Sequence, residues 1–230
     1  MADLRRMVCL ANSRKLSGRC VAGKELASNG PGAWLRPVSA RPSEEVSEYE
    51  RQYQDGSDPQ VLDIIDVPLI SAKPNTYQPE NWLLEPDEYW GRLGRLGWND
   101  LQDLVNSPSV LWENGFSTVS GLNDRVPLLL ATNLGGSLYM VHLQEMELSV
   151  SAPGAAFGNQ RRRVQARFTF KGISYDLRVT DPVFERQYLA GSNGEFPISE
   201  CYLTVSLGEP YDGFCYKFVA AITTPQRAQA

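Results

Sequence analysis

The sequence predicts a mainly β protein, with a minor share of helix, that is built as two barrel-like halves. Two observations support this fold class. Apolar and polar residues alternate with a period of two along much of the chain, which is typical of half-buried strands. The predicted strands also form two groups, each interrupted by one short helix, on either side of a segment rich in Pro, Gly and Trp. We therefore expect two five-stranded barrels joined by a mixed segment.

The first barrel is expected within residues 1–75. Its predicted strands are 7–11, 19–23, 33–39 and 61–70. Residues 23–32 form a loop, as their Gly, Asn and Pro content indicates. A short helix is predicted over 43–53, with Ser43 as its N-cap and acidic residues in its first turn.

Residues 76–127 are expected to connect the barrels. This segment contains four of the five tryptophans of the chain, Trp82, Trp90, Trp98 and Trp112. Large aromatic side chains are costly to leave exposed in number. We therefore expect the segment to pack on the barrels rather than to act as a free linker, with one short helix near 97–105.

The second barrel is expected over 128–224, followed by a disordered tail, 225–230. Its predicted strands are 137–150, 163–170, 173–179, 198–207 and 214–222. Lys171 and Gly172 predict a tight hairpin. A helix over 182–190 follows from Asp181 as N-cap and Pro182 at the first helical position. Strands followed by one helix and further strands give the element order of an OB-type Greek-key barrel.

Several segments resemble a bacterial family described as dual OB-fold proteins. They are VCLANSRKLSGRCVAG, GAWLRPVSAR, LDIIDVPL, YQPENWLL and RRRVQARFTFKGISYDLRVTDPVFERQYL. The resemblance spans roughly residues 7–222, and its most specific pieces are GRCVAG with WLRPVS, and YDLRVTDP. It implies two OB-like barrels and a nucleic-acid-binding role beside antiviral defence or DNA-processing systems. It brings no catalytic motif.

The hairpin 163–179 is the first candidate binding surface. Its period of two places Arg163, Arg167 and Arg178 on one outer face and the apolar residues on the opposite face. Arg161 precedes this face. A curved sheet with arginines on its open face can track a phosphate backbone. The alternative is a solvated face whose arginines pair with acids such as Asp176.

A second candidate surface lies in the N-terminal half. Lys15, Arg19, Trp34 and Arg36 fall at predicted loops and strand ends, and Trp34 and Arg36 share a face of their strand. Trp34 offers a stacking surface and Arg36 a phosphate partner. The alternative is that Trp34 caps the core while the stem of Arg36 runs along apolar surface.

The composition argues against several other classes. The net charge of −5 is opposite to that of a generally basic coat protein. The single histidine, His142, cannot build a multi-histidine metal site, and Asp63 and Asp66 fall on opposite faces of their strand. The four cysteines fit no zinc spacing. We expect no cofactor, no bound metal and no enzymatic activity.

The chain shows no apolar run of membrane-spanning length and no leader pattern, which predicts a cytoplasmic protein without membrane contact. The leading hypothesis is a non-catalytic nucleic-acid-binding accessory protein, with single-stranded or duplex nucleic acid as its partner. The alternatives are a subunit that docks a partner enzyme without binding nucleic acid, and a sensor of a small ligand or nucleotide.

Overall fold

The structure, a computed structural model, describes residues 2–27 and 30–229. Residues 28 and 29 of the predicted loop 23–32, and residue 230 of the predicted tail, lie outside the described residues. The described chain is mainly β and forms two sheets, so the predicted fold class is confirmed. Within the described ranges, no helix combines the length and apolarity needed to cross a membrane.

The first sheet closes into an OB barrel. Its elements are β1 (Asp3–Lys15), β2 (Gly18–Ala27), β3 (Gly30–Val38), α1 (Glu48–Arg51), β4 (Asp63–Ala72), β5 (Asn81–Leu84) and β6 (Gly91–Arg95). The strand order is β1-β2-β3-β5-β4, and β4 pairs back onto β1. The β3–β5 pair is parallel, as a Greek-key closure requires, and β6 extends the sheet beside β4.

The tryptophan-rich segment supplies two strands of this barrel sheet. β5 and β6 both lie beyond the boundary expected at residue 75, because Trp82 belongs to the strand that closes the barrel. Trp90 and Trp112 are buried, and Trp98 opens a 3₁₀ helix, Trp98–Leu104, near the helix predicted at 97–105. Part of the segment expected as a connection therefore belongs to the first sheet.

Helix α1 is shorter than predicted and begins at a different cap. Ser47, not Ser43, is the N-cap: its hydroxyl accepts from the Glu50 amide at 3.3 Å. The Glu50 carboxylate in turn accepts from the Ser47 amide at 2.8 Å. This reciprocal pair needs Ser and Glu three residues apart, which Ser47 and Glu50 provide. The hydroxyl of Ser43 instead donates to Glu45.

The second sheet repeats the same topology. Its elements are β7 (Arg125–Pro127), α2 (Leu128–Ala131), β8 (Leu138–Leu143), β9 (Met146–Ser151), a 3₁₀ turn (Ala155–Phe157), β10 (Arg163–Phe170), β11 (Ile173–Val179), α3 (Pro182–Leu189), β12 (Gly194–Ile198), β13 (Cys201–Tyr211) and β14 (Phe214–Thr223). The order β9-β10-β11-β14-β13-β8 closes because β8 and β9 are two parts of one bent strand. The β11–β14 pair is parallel, and α3 has the predicted Asp181 cap.

Two-residue turns end the hairpins that border the later site. Lys171 and Gly172 have φ of 49° and 80°, which confirms the predicted tight turn. Asp212 and Gly213 have φ of 50° and 78° and join β13 to β14 in the same way. Both central residues of such a turn lie in the left-handed region, which favours Gly at the second position.

The two barrels pack against each other through a shared apolar cluster. Val8 and Leu10 of β1 meet Met140 of β8 and Ala220 and Ala221 of β14 in this cluster. Backbone bonds reinforce the junction: the Arg14 amide donates to the Thr180 carbonyl at 2.8 Å. The barrels therefore share a core at their junction, and this junction fixes side chains from both halves relative to one another.

The C-terminal segment is helical, which corrects the expected disordered tail. α4 (Pro225–Gln229) is tied down by Arg227, which forms an ion pair with buried Asp181 and donates to the Ile222 carbonyl at 2.6 Å. A buried carboxylate needs such a cation, because an unpaired buried charge is very costly. The prediction of a frayed tail considered only the polar sequence and not this distant partner.

Candidate nucleic-acid interface

The outer face of the β10–β11 hairpin is electrostatically neutralised. Arg167 is exposed, but its guanidinium contacts three carboxylates: Asp176 at 3.1 Å, Glu195 at 2.7 Å and Glu147 at 3.4 Å. The hydrogen bond that Arg167 donates to Asp176 is the main cause that raises the pKa of Arg167. This arrangement matches the solvated-face alternative for Arg167.

Among the residues described for this face, none is an exposed aromatic side chain. The face borders an open depression of about 1300 Å³ whose charged lining includes Glu145, Glu147 and Asp176 beside Arg167 and Lys171. Phe168 and Tyr175 are stacked on each other in the core, with ring centroids 5.4 Å apart. Strands two and three of an OB barrel usually carry the ligand, but here they offer neither excess positive charge nor a stacking surface.

The other hairpin arginines lie together at the barrel junction. Burial lowers the pKa of Arg178, the positive charges of Arg14, Arg163 and Arg161 lower it further, and Glu185 opposes this effect. The strand pairing places these residues near one another: Arg178 pairs with Gln165, next but one to Arg163, and the Arg14 amide binds the carbonyl of Thr180, next but one to Arg178. The Nε atoms of Arg163 and Arg178 are buried and have no hydrogen-bond partner in the described part of the chain.

The arginine cluster continues across the junction onto the first barrel. Burial lowers the pKa of Arg19, the positive charges of Arg51, Arg186 and Arg14 act in the same direction, and the negative charge of Asp58 opposes them. Arg14 itself forms a two-bond ion pair with Glu185, at 2.8 and 2.7 Å. We name the following residues the junction arginine strip: Arg14, Arg19, Arg161, Arg163, Arg178 and Arg186.

Most of this strip forms no salt bridge among the described residues. Among the described residues, Arg14 is the one member that forms a salt bridge, while the rest of the strip has none. Arg162, next to the strip, has a structural role: its guanidinium donates to Asn193, to the Leu189 carbonyl and to the Gly191 carbonyl. The strip is thus a positive surface within an acidic protein.

Two predicted binding residues of the first barrel are engaged in structural contacts. Arg36 is 2% exposed and binds Glu80 at 3.1 Å and the Ser137 hydroxyl at 2.8 Å. Trp34 is half-buried, packs on the shared cluster and donates to Asn106 at 3.3 Å. Arg36 reaches the second barrel through Ser137, and Trp34 packs on the cluster that the two barrels share.

Lys15 and two hairpin ends border a cavity between the barrels. The cavity has a volume of about 420 Å³, and Lys15, Leu16, Arg36, Arg178 and Tyr211 are among the residues that line it. Lys15 pairs with Glu209 of the second barrel at 2.6 Å. Tyr211 is 74% exposed beside the Asp212–Gly213 turn. The cavity therefore lies beside the strip and has an exposed aromatic ring at its edge.

Sequence reasoning missed Arg14, Arg186 and Tyr211. Arg14 lay beyond the end of the strand predicted over 7–11, whereas β1 continues to Lys15. Tyr211 had a usable signal: an aromatic residue directly before Asp-Gly stands at a hairpin end, where it is exposed. Arg186 lies in α3, next to Glu185, and the ion pair of Glu185 with Arg14 holds this helix at the junction.

The groups considered for catalysis are engaged in structural contacts. His142 contacts Glu200 at 2.8 Å and stacks on Tyr202, with ring centroids 4.6 Å apart. Asp63 is fully buried and accepts from Tyr53 at 2.8 Å and from the Gln60 amide at 2.9 Å. Residues 2–27 and 30–229 contain no group of three or more His, Cys, Asp or Glu arranged to hold a metal ion.

Two closed OB barrels with a shared junction define a dual OB-fold protein. In agreement, the family model for the dual OB-containing domain matches residues 5–222. The chain belongs to this family. Comparison with curated proteins found no match, and comparison with solved structures found none either.

Proposed function

We propose that the protein is a non-catalytic, cytoplasmic accessory protein that binds single-stranded nucleic acid across the junction of its two barrels. The observation that carries this proposal is the junction arginine strip, of which five members form no salt bridge in the described chain. Cations that are not already neutralised can replace the counterions of a phosphate backbone. The resemblance to dual OB-fold proteins supports a place beside a bacterial defence or DNA-processing system.

The geometry favours a single strand over a duplex. Single-strand binders combine a positive track with aromatic rings on which bases stack. Tyr211 is the exposed ring beside the strip, because it lines the same cavity as Arg14 and Arg178. A duplex keeps its bases stacked on one another, so it gains nothing from this ring.

Binding without catalysis agrees with the contacts of the polar groups. The carboxylate of Asp63 and the imidazole of His142 both have structural partners, as described above. The strip supplies positive charge and hydrogen-bond donors, which position a phosphate backbone but do not by themselves cleave it.

Fluorescence anisotropy with a labelled single-stranded oligonucleotide tests the proposal. We expect binding at low salt that weakens steeply as salt increases. Five phosphate contacts give a slope of about −3.5 in a plot of log affinity against log salt, since each contributes about 0.7 on single strands. Duplex DNA of the same length should bind more weakly. Both DNA and RNA strands belong in this measurement.

The variant Tyr211→Ala tests the stacking contribution separately, because it leaves every charge of the protein unchanged. It should weaken single-strand binding by about 1–3 kcal/mol per stacked base while the salt slope stays unchanged. Absence of single-strand binding at low salt would contradict the proposal and favour the docking of a partner enzyme.

A further inference from the structure

The cavity between the barrels contains a buried arginine whose donors are only partly used. Arg36 lines this cavity and is 2% exposed. Its Nη2 binds Glu80 and Ser137, whereas Nε and Nη1 are buried without a hydrogen-bond partner among the described residues. Buried donors are nearly always paired, and an unpaired donor costs about 1–3 kcal/mol. Two such donors on one guanidinium therefore point to a ligand.

The charge balance of the cavity lining favours an anion. The basic residues are Arg14, Lys15, Arg36 and Arg178, and the acidic ones are Glu44 and Glu209. Each acid is already paired with a lysine: Glu44 with Lys73 at 2.7 Å and Glu209 with Lys15 at 2.6 Å. Arg14 is paired with Glu185. Arg36 has Glu80 as its partner and still keeps two free donors, and Arg178 forms no salt bridge in the described chain.

A second arginine of the cavity with an unused buried donor comes from the other barrel. Arg178 belongs to β11, and its Nε is buried without a partner among the described residues. Arg36 belongs to β3 of the first barrel. A guanidinium presents donors in a planar fork that matches phosphate oxygens. Two guanidiniums from different barrels can therefore hold one phosphate from two sides.

The size and the border of the cavity fit a small organic ligand that is larger than a phosphate ion. A volume of about 420 Å³ lies within the range of small-ligand pockets, roughly 300–1000 Å³. The border is formed by the turn after Lys15 and the turn after Tyr211, the loops that frame ligands in OB barrels. Tyr211 offers a stacking surface to a base attached to the phosphate.

We propose that this cavity binds a phosphate monoester, in which Arg36 and Arg178 hold the terminal phosphate and Tyr211 stacks on the attached base. The inference rests on the proposed function in one respect, because it assigns the end of a bound strand to this cavity. The same chemistry occurs at the phosphorylated end of an oligonucleotide and in a free mononucleotide, so the test distinguishes the two sources.

The first experiment compares oligonucleotides of one sequence that carry a phosphate or a hydroxyl at the 5′ end, and likewise at the 3′ end. One of the two phosphorylated ends should bind at least about 10-fold more tightly than its hydroxyl counterpart, the effect of one charge-assisted hydrogen bond. AMP and adenosine form the second arm, in which only AMP should bind if a free nucleotide is the source.

Cys20 provides a readout that needs no substitution. It lines the cavity and is partly exposed, whereas Cys9, Cys201 and Cys215 are buried. Alkylation by iodoacetamide should therefore occur first at Cys20. The phosphorylated oligonucleotide or AMP should slow this reaction at least about 5-fold, while the hydroxyl oligonucleotide and adenosine should slow it less, because occupancy follows affinity.

The substitution must not leave Glu80 buried and unpaired, because a lone buried charge can unfold the protein. We therefore choose the double variant Arg36→Gln/Glu80→Gln, with Arg167→Ala as a control outside the cavity. The double variant should bring the phosphate-to-hydroxyl affinity ratio close to 1 and keep hydroxyl-strand binding. Arg167→Ala should keep the ratio of the wild type.

The outcomes separate the two proposals. Equal affinity for phosphorylated and hydroxyl strands, together with unprotected Cys20 in the presence of AMP, overturns the cavity proposal and leaves strand binding by the strip intact. Binding of AMP with no binding of hydroxyl strands supports the cavity proposal and overturns the proposed function. A phosphate preference that survives in the double variant also overturns the cavity proposal.

Discussion

Replacement of Asp181 by Ala is expected to lower the free energy of unfolding by about 3–5 kcal/mol, the cost of breaking a buried ion pair from one side. Asp181 is 1% exposed and caps α3 by accepting from the Val183 amide at 3.0 Å. It also accepts from the Ile222 amide at 3.0 Å and pairs with Arg227. Its loss removes a helix cap and leaves a guanidinium and an amide without their acceptor.

Urea denaturation measures this effect. Asp87→Ala, at an exposed position, is the matched control and should change the unfolding free energy by less than about 0.5 kcal/mol. The double variant Asp181→Ala/Arg227→Met should recover part of the loss, because it removes the uncompensated cation. A loss below about 1 kcal/mol in Asp181→Ala would contradict the assigned role of this carboxylate.

The triple variant Arg19→Ala/Arg161→Ala/Arg163→Ala is expected to lose about 10- to 100-fold in affinity for a single strand at low salt. Three lost phosphate contacts reduce the salt slope by about 2, since each contributes about 0.7. The three residues come from both barrels and form no salt bridge in the described chain, so their removal leaves no acid unpaired.

A second triple variant with the same charge change separates local contact from overall charge. Arg6→Ala/Arg167→Ala/Lys171→Ala removes three exposed cations outside the strip. Long-range repulsion between the acidic protein and the nucleic acid grows equally in both variants, because each loses three positive charges. The salt slope of the control variant should therefore fall by less than about 0.7, the contribution of one contact. Equal reductions of the salt slope in the two variants would show that net charge, not the strip, governs binding.

The barrel topology was predictable because it depends on local patterns. The period of two in 163–179, the Lys171-Gly172 turn and the Asp181-Pro182 helix start all appear in the structure as expected. The closing strand β5 was missed because its four residues, Asn-Trp-Leu-Leu, carry no alternation, and only pairing with β3 makes them a strand. The C-terminal helix likewise depends on the distant contact of Arg227 with Asp181.

The candidate site was only partly predictable, because a strand pattern assigns a side chain to a face but not to a neighbour. Arg163, Arg167 and Arg178 alternate in the sequence as one set. The structure gives Arg167 three acidic neighbours, whereas Arg178 feels the positive charges of Arg163 and of Arg14 from the other barrel. Arg36 was assigned to a binding surface, whereas its guanidinium contacts the second barrel. Strand neighbours within the second barrel decided the case of Arg167, and packing between the barrels decided those of Arg178 and Arg36.

Ultraviolet crosslinking of a single strand that carries 5-bromouracil, followed by peptide mapping, tests the central claim most directly. If the junction binds the strand, crosslinks should concentrate on peptides that contain Tyr211 and the turn after Lys15, the exposed residues beside the strip. The Tyr211→Ala variant should lose the first of these crosslinks. Crosslinks concentrated instead around Arg167 and Lys171, on the outer face of the β10–β11 hairpin, would contradict the account.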